Sequence, residues 1–186
     1  MKIINGWLDA AQQRPCPHFD QRPDNTDISL LVVHDISLPP GEFGKGYVPQ
    51  FFAGNLPTQE HPFFQEIAEL RVSAHCFIDR QGQVMQFVSF HDRAWHAGVS
   101  VFQGVTRCND FSIGIEMEGT DEIPYTDAQY SALTSLTDCL RCYFPKITMG
   151  RIVGHCDIAP GRKTDPGVAF DWARFRSALD TFSIKD

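Results

Sequence analysis

An apolar run, SLLVVHDI at residues 29–36, is rich in β-branched and other large aliphatic side chains and carries a histidine near its end. A run of this kind is typical of a strand that is buried on both faces in the middle of a sheet. The pattern therefore predicts a central strand with His34 close to its carboxyl end.

Two further segments alternate between apolar and polar positions, which is the pattern of half-buried strands. Residues 72–90 contain two such stretches around Arg80-Gln81-Gly82 and predict a β-hairpin with a short glycine-containing turn. Residues 111–117 predict another strand, in which Glu116 lies on the polar face. The apolar face of that strand consists of Phe111, Ile113, Ile115 and Met117.

Helices are predicted from their start signals. Pro62 can open a short helix to about residue 70, and a last helix is expected over residues 171–179. Thr126 followed by Gln129 has the form of a capping box before apolar residues at helical spacing, namely Tyr130, Leu133, Leu136 and Leu140. Residues 39–62 are rich in Gly, Pro and Phe without a clear period, so we expect a long ordered loop near the functional site.

These elements predict an α+β fold, a mixed β-sheet with helices packed on its faces. The chain has 186 residues, of which 42% are hydrophobic and 21% charged, so we expect residues 1–186 to form a single domain. A formal net charge of −7 argues against a nucleic-acid partner, because binding to phosphate backbones requires clustered Lys and Arg.

No apolar run is long enough for a signal-peptide core or for a membrane span of roughly 18 residues. We therefore expect a cytoplasmic protein that does not bind membranes, and we expect most of its six cysteines to be free thiols. Cys139 and Cys142 have the spacing of a redox pair, but they fall on a predicted helix without a thioredoxin-like context, which disfavours that role.

The most concentrated chemistry lies in GHCDIAPGRKTDPG at residues 154–167, where several glycines and prolines predict a stiff loop. His155 there and His34 each follow an apolar β-type run, and strand ends that lead into loops are where sites collect in α/β architectures. With Asp165 they have the composition of a catalytic zinc site, which keeps a fourth position for water. The alternative is that each histidine is structural and that Asp165 belongs to an ordinary Asp-Pro-Gly turn.

Hydrolysis of an amide at such a site also needs a base for the proton of the water and a cation or donor for the oxyanion. Glu116, on the polar face of its strand, could be the base. Lys163, on the same loop as Asp165, could be the cation. For both residues the alternative from spacing alone is a surface salt bridge.

Several motifs occur in an order that closely resembles the type-2 N-acetylmuramoyl-L-alanine amidases: LLVVHDISLPPGEFG, RVSAHCFIDRQGQVMQFV, RAWHAGVS, RCNDFSIGIEMEGTD, YTDAQY and GHCDIAPGRKTDPG. The resemblance implies the type-2 amidase fold, a central mixed sheet flanked by helices that is shared with a phage lysozyme and the peptidoglycan recognition proteins. It also implies that His34, His155 and Asp165 bind zinc, and that Glu116 and Lys163 are catalytic.

The resemblance is strongest to the members that act in cytoplasmic cell-wall recycling. It implies hydrolysis of the amide between the lactyl group of 1,6-anhydro-N-acetylmuramic acid and L-alanine, and thereby control of β-lactamase induction through muropeptide levels. An anhydro-muropeptide is then the expected partner, with no obligatory protein partner.

Four further residues fall at positions where the resemblance implies contact with the substrate. Arg71 and Arg107 could clamp stem-peptide carboxylates, although surface solubility would also explain them. Trp95 could form a cavity wall, although a core tryptophan is nearly as good an explanation. Asp35 departs from the family, which more often has Asn after the first histidine; a carboxylate accepts hydrogen bonds but does not donate them, so we expect an effect on substrate affinity and preferred pH.

Two alternative functions remain open from the sequence. The first is a non-catalytic muropeptide-binding module on the same fold, which the intact set of five site residues disfavours. The second is a structural zinc site in which Cys156 or another cysteine supplies a fourth ligand.

Overall fold

A computed structural model describes residues 1–24 and 26–182 of the chain. Within these residues the strands are β1 Ile3–Ile4, β2 Trp7–Leu8, β3 Gln12–Gln13, β4 Phe19–Gln21, β5 Leu30–Ile36, β6 Cys76–Ile78, β7 Val84–Gln86, β8 Asp92–Ala94, β9 Val101–Phe102, β10 Val105–Thr106, β11 Ser112–Glu118 and β12 Ile152–Gly154. The α-helices are α1 Tyr47–Phe52, α2 Pro62–Ile67, α3 Asp127–Tyr143, α4 His155–Ile158 and α5 Trp172–Phe182, and short 3-10 helices cover Cys108–Asp110 and Met149–Arg151.

The main sheet has the strand order β12-β5-β11-β6-β7-β3. β5 pairs in parallel with both β12 and β11, and β11 pairs in parallel with β6. β6 and β7 form the antiparallel hairpin predicted from the sequence, with Gly82 in the turn at φ +79°. The mixed sheet predicted from the alternation of strands and helices is therefore confirmed.

Both faces of β5 are buried because its side chains alternate between two cores. Leu31 and Val33 join the large core under helices α3 and α5, whereas Leu30 and Val32 join a smaller core on the opposite face. All four side chains are fully buried, as the apolar run predicts. His34 continues the series of the second face and thus emerges beside the smaller core.

Helix α3 begins where its sequence predicts. The Thr126 hydroxyl accepts a hydrogen bond from the Gln129 backbone N–H at 3.1 Å, and the Gln129 side chain accepts one from the Thr126 N–H at 3.1 Å. This reciprocal arrangement satisfies two N–H groups that the helix itself leaves without partners. The apolar stripe of the helix then covers the large core.

Three local predictions were wrong in detail. The expected loop over residues 39–62 contains helix α1, which buries Val48, Phe51 and Phe52 in a third core cluster. The stretch at residues 154–167 begins with the single helical turn α4, because its glycines and prolines lie mostly after residue 158. Phe111 precedes its strand and packs in the smaller core, so it does not share the face of Ile113.

All six cysteines are free thiols, which confirms the expectation from the sequence. Among the described residues, no helix combines the length and the apolar composition that crossing a membrane requires.

Candidate metal centre and cleft

The order of the main sheet brings three functional side chains to one edge. β12, β5 and β11 are neighbouring parallel strands, so their carboxyl ends lie side by side. His34 lies near the end of β5, Glu116 is its register partner on β11, and His155 immediately follows β12. Register partners on neighbouring strands point to the same face of a sheet, so Glu116 and His34 face one cleft.

Three side-chain atoms converge at the floor of this cleft. The Nδ1 atoms of His34 and His155 lie 3.0 Å apart, and the Oδ2 atom of Asp165 lies 3.0 Å from the first and 3.1 Å from the second. Within the described residues, this is the group of histidine, cysteine and carboxylate side chains that could hold a metal ion. It contains no cysteine, which does not support a structural zinc site completed by Cys156.

Burial holds the imidazole of His34 in the neutral form that binds metals. Burial lowers the pKa of His34 to about 4, although the hydrogen bond with Asp165 acts in the opposite direction. Burial alone would raise the pKa of Asp165, but hydrogen bonds with His155 and His34 outweigh it and bring the pKa below its ordinary value. A neutral imidazole and an ionised carboxylate are the states in which these groups ligate a metal.

Asp165 reaches this point because its loop is fixed at both ends. The Asp165 carbonyl accepts a hydrogen bond from the Cys156 N–H at 3.0 Å, and the Asp121 carbonyl accepts one from the Ala169 N–H at 2.9 Å. Gly167 has φ +76°, and a Cβ atom there would lie 2.0 Å from the Cα of Asp121. The close approach of these two segments therefore requires glycine.

Glu116 has an unusual environment for a carboxylate. Its Oε2 atom is buried and has no hydrogen-bond partner among the described residues. Burial and the negative charges of Asp165 and Asp35 raise its pKa well above the ordinary value, and the positive charge of Lys163 opposes them. A carboxyl group in this position can take up a proton readily.

Lys163 is exposed and lines the cleft together with Glu116 and the three converging residues. Its backbone N–H donates to the Ala159 carbonyl at 3.0 Å, which fixes the start of the side chain at the end of helix α4. All five site residues singled out from the sequence thus surround one cavity.

The cleft has a volume of about 880 Å³, which lies within the usual range of small-molecule binding pockets. One wall is apolar and contains residues of helices α1 and α2 and the segment after α2: Phe51, Phe52, Phe63, Ile67 and Leu70. Another wall is acidic and contains Asp35, Asp121 and Glu122. The cleft therefore offers both apolar contact and hydrogen-bond acceptors.

Asp35 lies on the acidic wall in contact with other oxygen atoms. Its carboxylate accepts a hydrogen bond from the Tyr125 hydroxyl at 3.3 Å and contacts the carboxyl of Asp121. Burial and the charges of Asp165 and Asp121 raise the pKa of Asp35 to about 7. A second negative charge is therefore costly at the position of Asp35.

The remaining predicted substrate ligands are placed differently. Trp95 is half-buried and lines the cleft, and its indole N–H donates to Asp20 at 3.1 Å, which fixes the ring. Arg71 and Arg107 are exposed and lie outside the residues that line the cleft; Arg107 forms an ion pair with Asp110 at 3.2 Å. A role for the two arginines in substrate binding remains a prediction.

Reasoning from the sequence missed His96. This histidine is buried, and its Nδ1 atom lies 2.9 Å from the Nε2 atom of His34. The motif RAWHAGVS places it beside Trp95, but a contact between residues 62 positions apart has no local signal in the sequence. Only the fold brings it behind the group that could hold a metal ion.

Comparison with known proteins identifies the family. The profile of the N-acetylmuramoyl-L-alanine amidase family matches residues 24–168. The curated 1,6-anhydro-N-acetylmuramyl-L-alanine amidase AmpD of Haemophilus influenzae is 58% identical over 177 residues, which cover 95% of this chain and 96% of that protein. The AmpD of Escherichia coli is 60% identical over 176 residues, with coverage of 95% and 96%.

Solved structures agree with these sequence matches. A crystal structure of a selenomethionine derivative of AmpD superposes with a TM-score of 0.93 at 56% identity, covering 96% of this chain and 99% of that one. A complex of E. coli AmiD with anhydro-N-acetylmuramic acid-L-Ala-D-γ-Glu-L-Lys has a TM-score of 0.61 at 26% identity and covers 85% of this chain and 60% of that one. The fold and the amidase activity expected from the sequence are confirmed: the chain belongs to the N-acetylmuramoyl-L-alanine amidase family.

Proposed function

We propose that this chain is a zinc-dependent amidase that hydrolyses the bond between the lactyl group of 1,6-anhydro-N-acetylmuramic acid and the L-alanine of the stem peptide. The observation that carries the proposal is the convergence of His34, His155 and Asp165 beside Glu116 at the floor of one cleft. The substrate follows from the activity for which the AmpD relatives are named and from the muropeptide bound to AmiD.

The three converging residues suit zinc in both chemistry and spacing. Two imidazole nitrogens and one carboxylate oxygen are the ligand types of catalytic zinc sites, and distances of about 2.0–2.1 Å to the ion place tetrahedral ligands about 3.3 Å from one another. The observed separations of 3.0, 3.0 and 3.1 Å lie close to that value. Zinc bound here would supply a Lewis acid for the carbonyl and lower the pKa of a water molecule.

Glu116 has the properties of the proton carrier. Its Oε2 atom has no hydrogen-bond partner among the described residues, and its raised pKa favours uptake of a proton from the attacking water. We infer that Glu116 takes the proton of the water and passes it to the alanine nitrogen as the C–N bond breaks. The departing group then leaves as a neutral amine.

Lys163 has the properties of the oxyanion partner. When water adds to the carbonyl, negative charge develops on the carbonyl oxygen, and a cation held at the cleft stabilises it. The ammonium group is carried at the rim on a backbone fixed to helix α4, on the same loop as Asp165. The backbone that carries Lys163 is thus fixed relative to the three converging residues before the charge develops.

In the cell, we propose that the enzyme works in the cytoplasm in peptidoglycan recycling and influences β-lactamase induction through muropeptide levels. The support is the activity named for AmpD relatives that match nearly the whole length of this chain. The binding-only alternative receives no support, since these relatives are amidases.

The proposal is tested with purified protein, first stripped of metal and then supplied with zinc. Anhydro-muropeptide and intact peptidoglycan are each incubated with both forms, and released peptide is measured by chromatography. We expect peptide from the anhydro-muropeptide only with zinc, and little from intact peptidoglycan. Equal hydrolysis by the metal-free protein would refute the zinc dependence, and a preference for intact peptidoglycan would refute the substrate.

A further inference from the structure

On the side away from the proposed metal, His34 and His155 contact two consecutive residues, His96 and Ala97. His34 and His155 both direct Nδ1 toward the centre, so their Nε2 atoms face away from it. The Nε2 atom of His34 lies 2.9 Å from Nδ1 of His96, and the Nε2–H of His155 donates to the Ala97 carbonyl at 3.1 Å. The pair His96–Ala97 therefore sets the orientation of both rings.

The direction of each hydrogen bond follows from the ligand role. A neutral imidazole that binds a metal through Nδ1 carries its proton on Nε2, so His34 donates to His96. His96 then has its own proton on Nε2 and donates to the Ser112 hydroxyl at 3.1 Å. The ring of His96 fits against the strand only because Gly114 lacks a side chain: a Cβ atom there would lie 2.4 Å from Cγ of His96.

One side-chain atom binds the backbone N–H groups of both residues of this pair. The backbone N–H groups of His96 and Ala97 both donate to Oδ1 of Asn109, at 3.1 and 2.8 Å. Asn109 is itself anchored, because its backbone carbonyl accepts a hydrogen bond from the largely buried guanidinium of Arg22 at 3.0 Å. The Asn109 side chain thus links its own anchored backbone to His96 and Ala97, which contact the Nε2 atoms of His34 and His155.

We propose that Asn109 is a positioning residue of the metal centre, which holds His96–Ala97 so that His34 and His155 keep their orientation toward the ion. The inference rests on the proposed zinc site. Asn109 acts on the metal through two other residues and needs no contact with the metal or the substrate. Outer partners of metal-ligating histidines typically contribute about 10–100-fold to metal affinity.

The test compares Asn109→Leu with Asn109→Asp by two measurements. Zinc affinity is measured by competition with a chelating dye, and the geometry of the centre by the visible absorption of the cobalt-substituted protein. Leucine has a similar shape but no acceptor, so we expect a loss of about 10–100-fold in zinc affinity and an altered cobalt spectrum. Aspartate keeps an oxygen that accepts from both N–H groups, so affinity and spectrum should stay close to wild type.

Gln86→Met is the matched control. Gln86 is a fully buried amide that bonds the backbone of Gly6, Leu8 and Val88, none of which lines the cleft. Its loss should reduce the free energy of unfolding in urea while zinc affinity stays at the wild-type value. If Asn109→Leu does not fold, Asn109→Ser is measured in its place, because a serine hydroxyl is too short to reach both N–H groups.

The outcomes separate the two proposals. Absence of zinc binding by the wild-type protein would refute the proposed function. Zinc binding by wild type with unchanged affinity in the Asn109→Leu or Asn109→Ser protein would overturn the positioning role. An equal loss in Asn109→Asp, or in Gln86→Met, would also overturn it, since the effect would not depend on the acceptor behind the histidines.

Discussion

Replacing Asp35 by Asn tests how much the negative charge of Asp35 on the acidic wall of the cleft lowers the free energy of unfolding. The pKa of Asp35 is raised to about 7 by burial and by the charges of Asp165 and Asp121. In the unfolded chain the carboxyl ionises near its ordinary value of 3.8. Between these two values the unfolded state binds fewer protons than the folded state, so stability falls as the pH rises.

The magnitude follows from the size of the shift. At about 1.4 kcal/mol for each pKa unit, the full difference corresponds to about 4 kcal/mol for a carboxyl shielded from water. Asp35 is partly exposed, so solvent screening reduces this value, and we expect about 1–2 kcal/mol. Asparagine removes the charge, still accepts from the Tyr125 hydroxyl and can donate to Asp121.

The assay is urea unfolding of the metal-free protein at several pH values, since a bound cation would offset the charge. Asp35→Asn should match wild type near about pH 4 and exceed it by about 1–2 kcal/mol near about pH 8. Asp24→Asn, at an exposed turn, is the control and should show no such trend. A stability difference that does not change with pH, or that Asp24→Asn reproduces, would refute the reasoning.

The same substitution has a consequence for activity with zinc bound. It removes a negative charge near the metal and keeps a hydrogen-bond acceptor, so we expect turnover of anhydro-muropeptide to be kept or improved. A large loss of catalytic efficiency with zinc still bound would show that the Asp35 carboxylate has its own role.

Three further predictions concern the thiols, the core and the loop. All six cysteines should react with a thiol reagent after denaturation without reduction, and fewer would reveal a disulfide. Leu133→Ala should cost about 2–5 kcal/mol in chemical unfolding because the side chain is fully buried, whereas Leu70→Ala, at 51% exposure, should cost far less. Gly167→Ala should weaken zinc binding and stability because its Cβ would collide with Asp121, whereas Gly161→Ala, in open space at φ +75°, should lose only about 1 kcal/mol of stability. Similar effects of the two glycine substitutions on zinc affinity would contradict the account of the loop.

Much of the fold follows from local patterns in the sequence. The apolar run around Val32, the hairpin turn at Gly82 and the capping box of Thr126 each act over a few residues, so periodicity and turn chemistry predict them. Helix α1 was missed because it is short and rich in aromatic residues, and burial of Phe51 and Phe52 against the core stabilises it more than local propensity does.

The candidate metal ligands could be proposed from the sequence because they follow strand-like runs or fall in recognisable motifs. What the sequence could not give is the order β12-β5-β11, which places His155, His34 and Glu116 side by side. The contacts of His96 and Asn109 also could not be predicted from the sequence, because they depend on how the chain folds. The ring of His96 in addition needs the space that Gly114 leaves on its strand.

The central claim is that His34, His155 and Asp165 hold the metal while Glu116 and Lys163 carry out chemistry around it. The most direct measurement determines bound zinc and turnover of anhydro-muropeptide in the same samples of four variants. His155→Ala and Asp165→Ala should lose zinc and activity together. Glu116→Gln and Lys163→Met should keep zinc while turnover falls by about 10²-fold or more, the usual effect of removing a positioned base or an oxyanion partner. Loss of zinc from Glu116→Gln, or full turnover by Lys163→Met at saturating substrate, would contradict the division of roles.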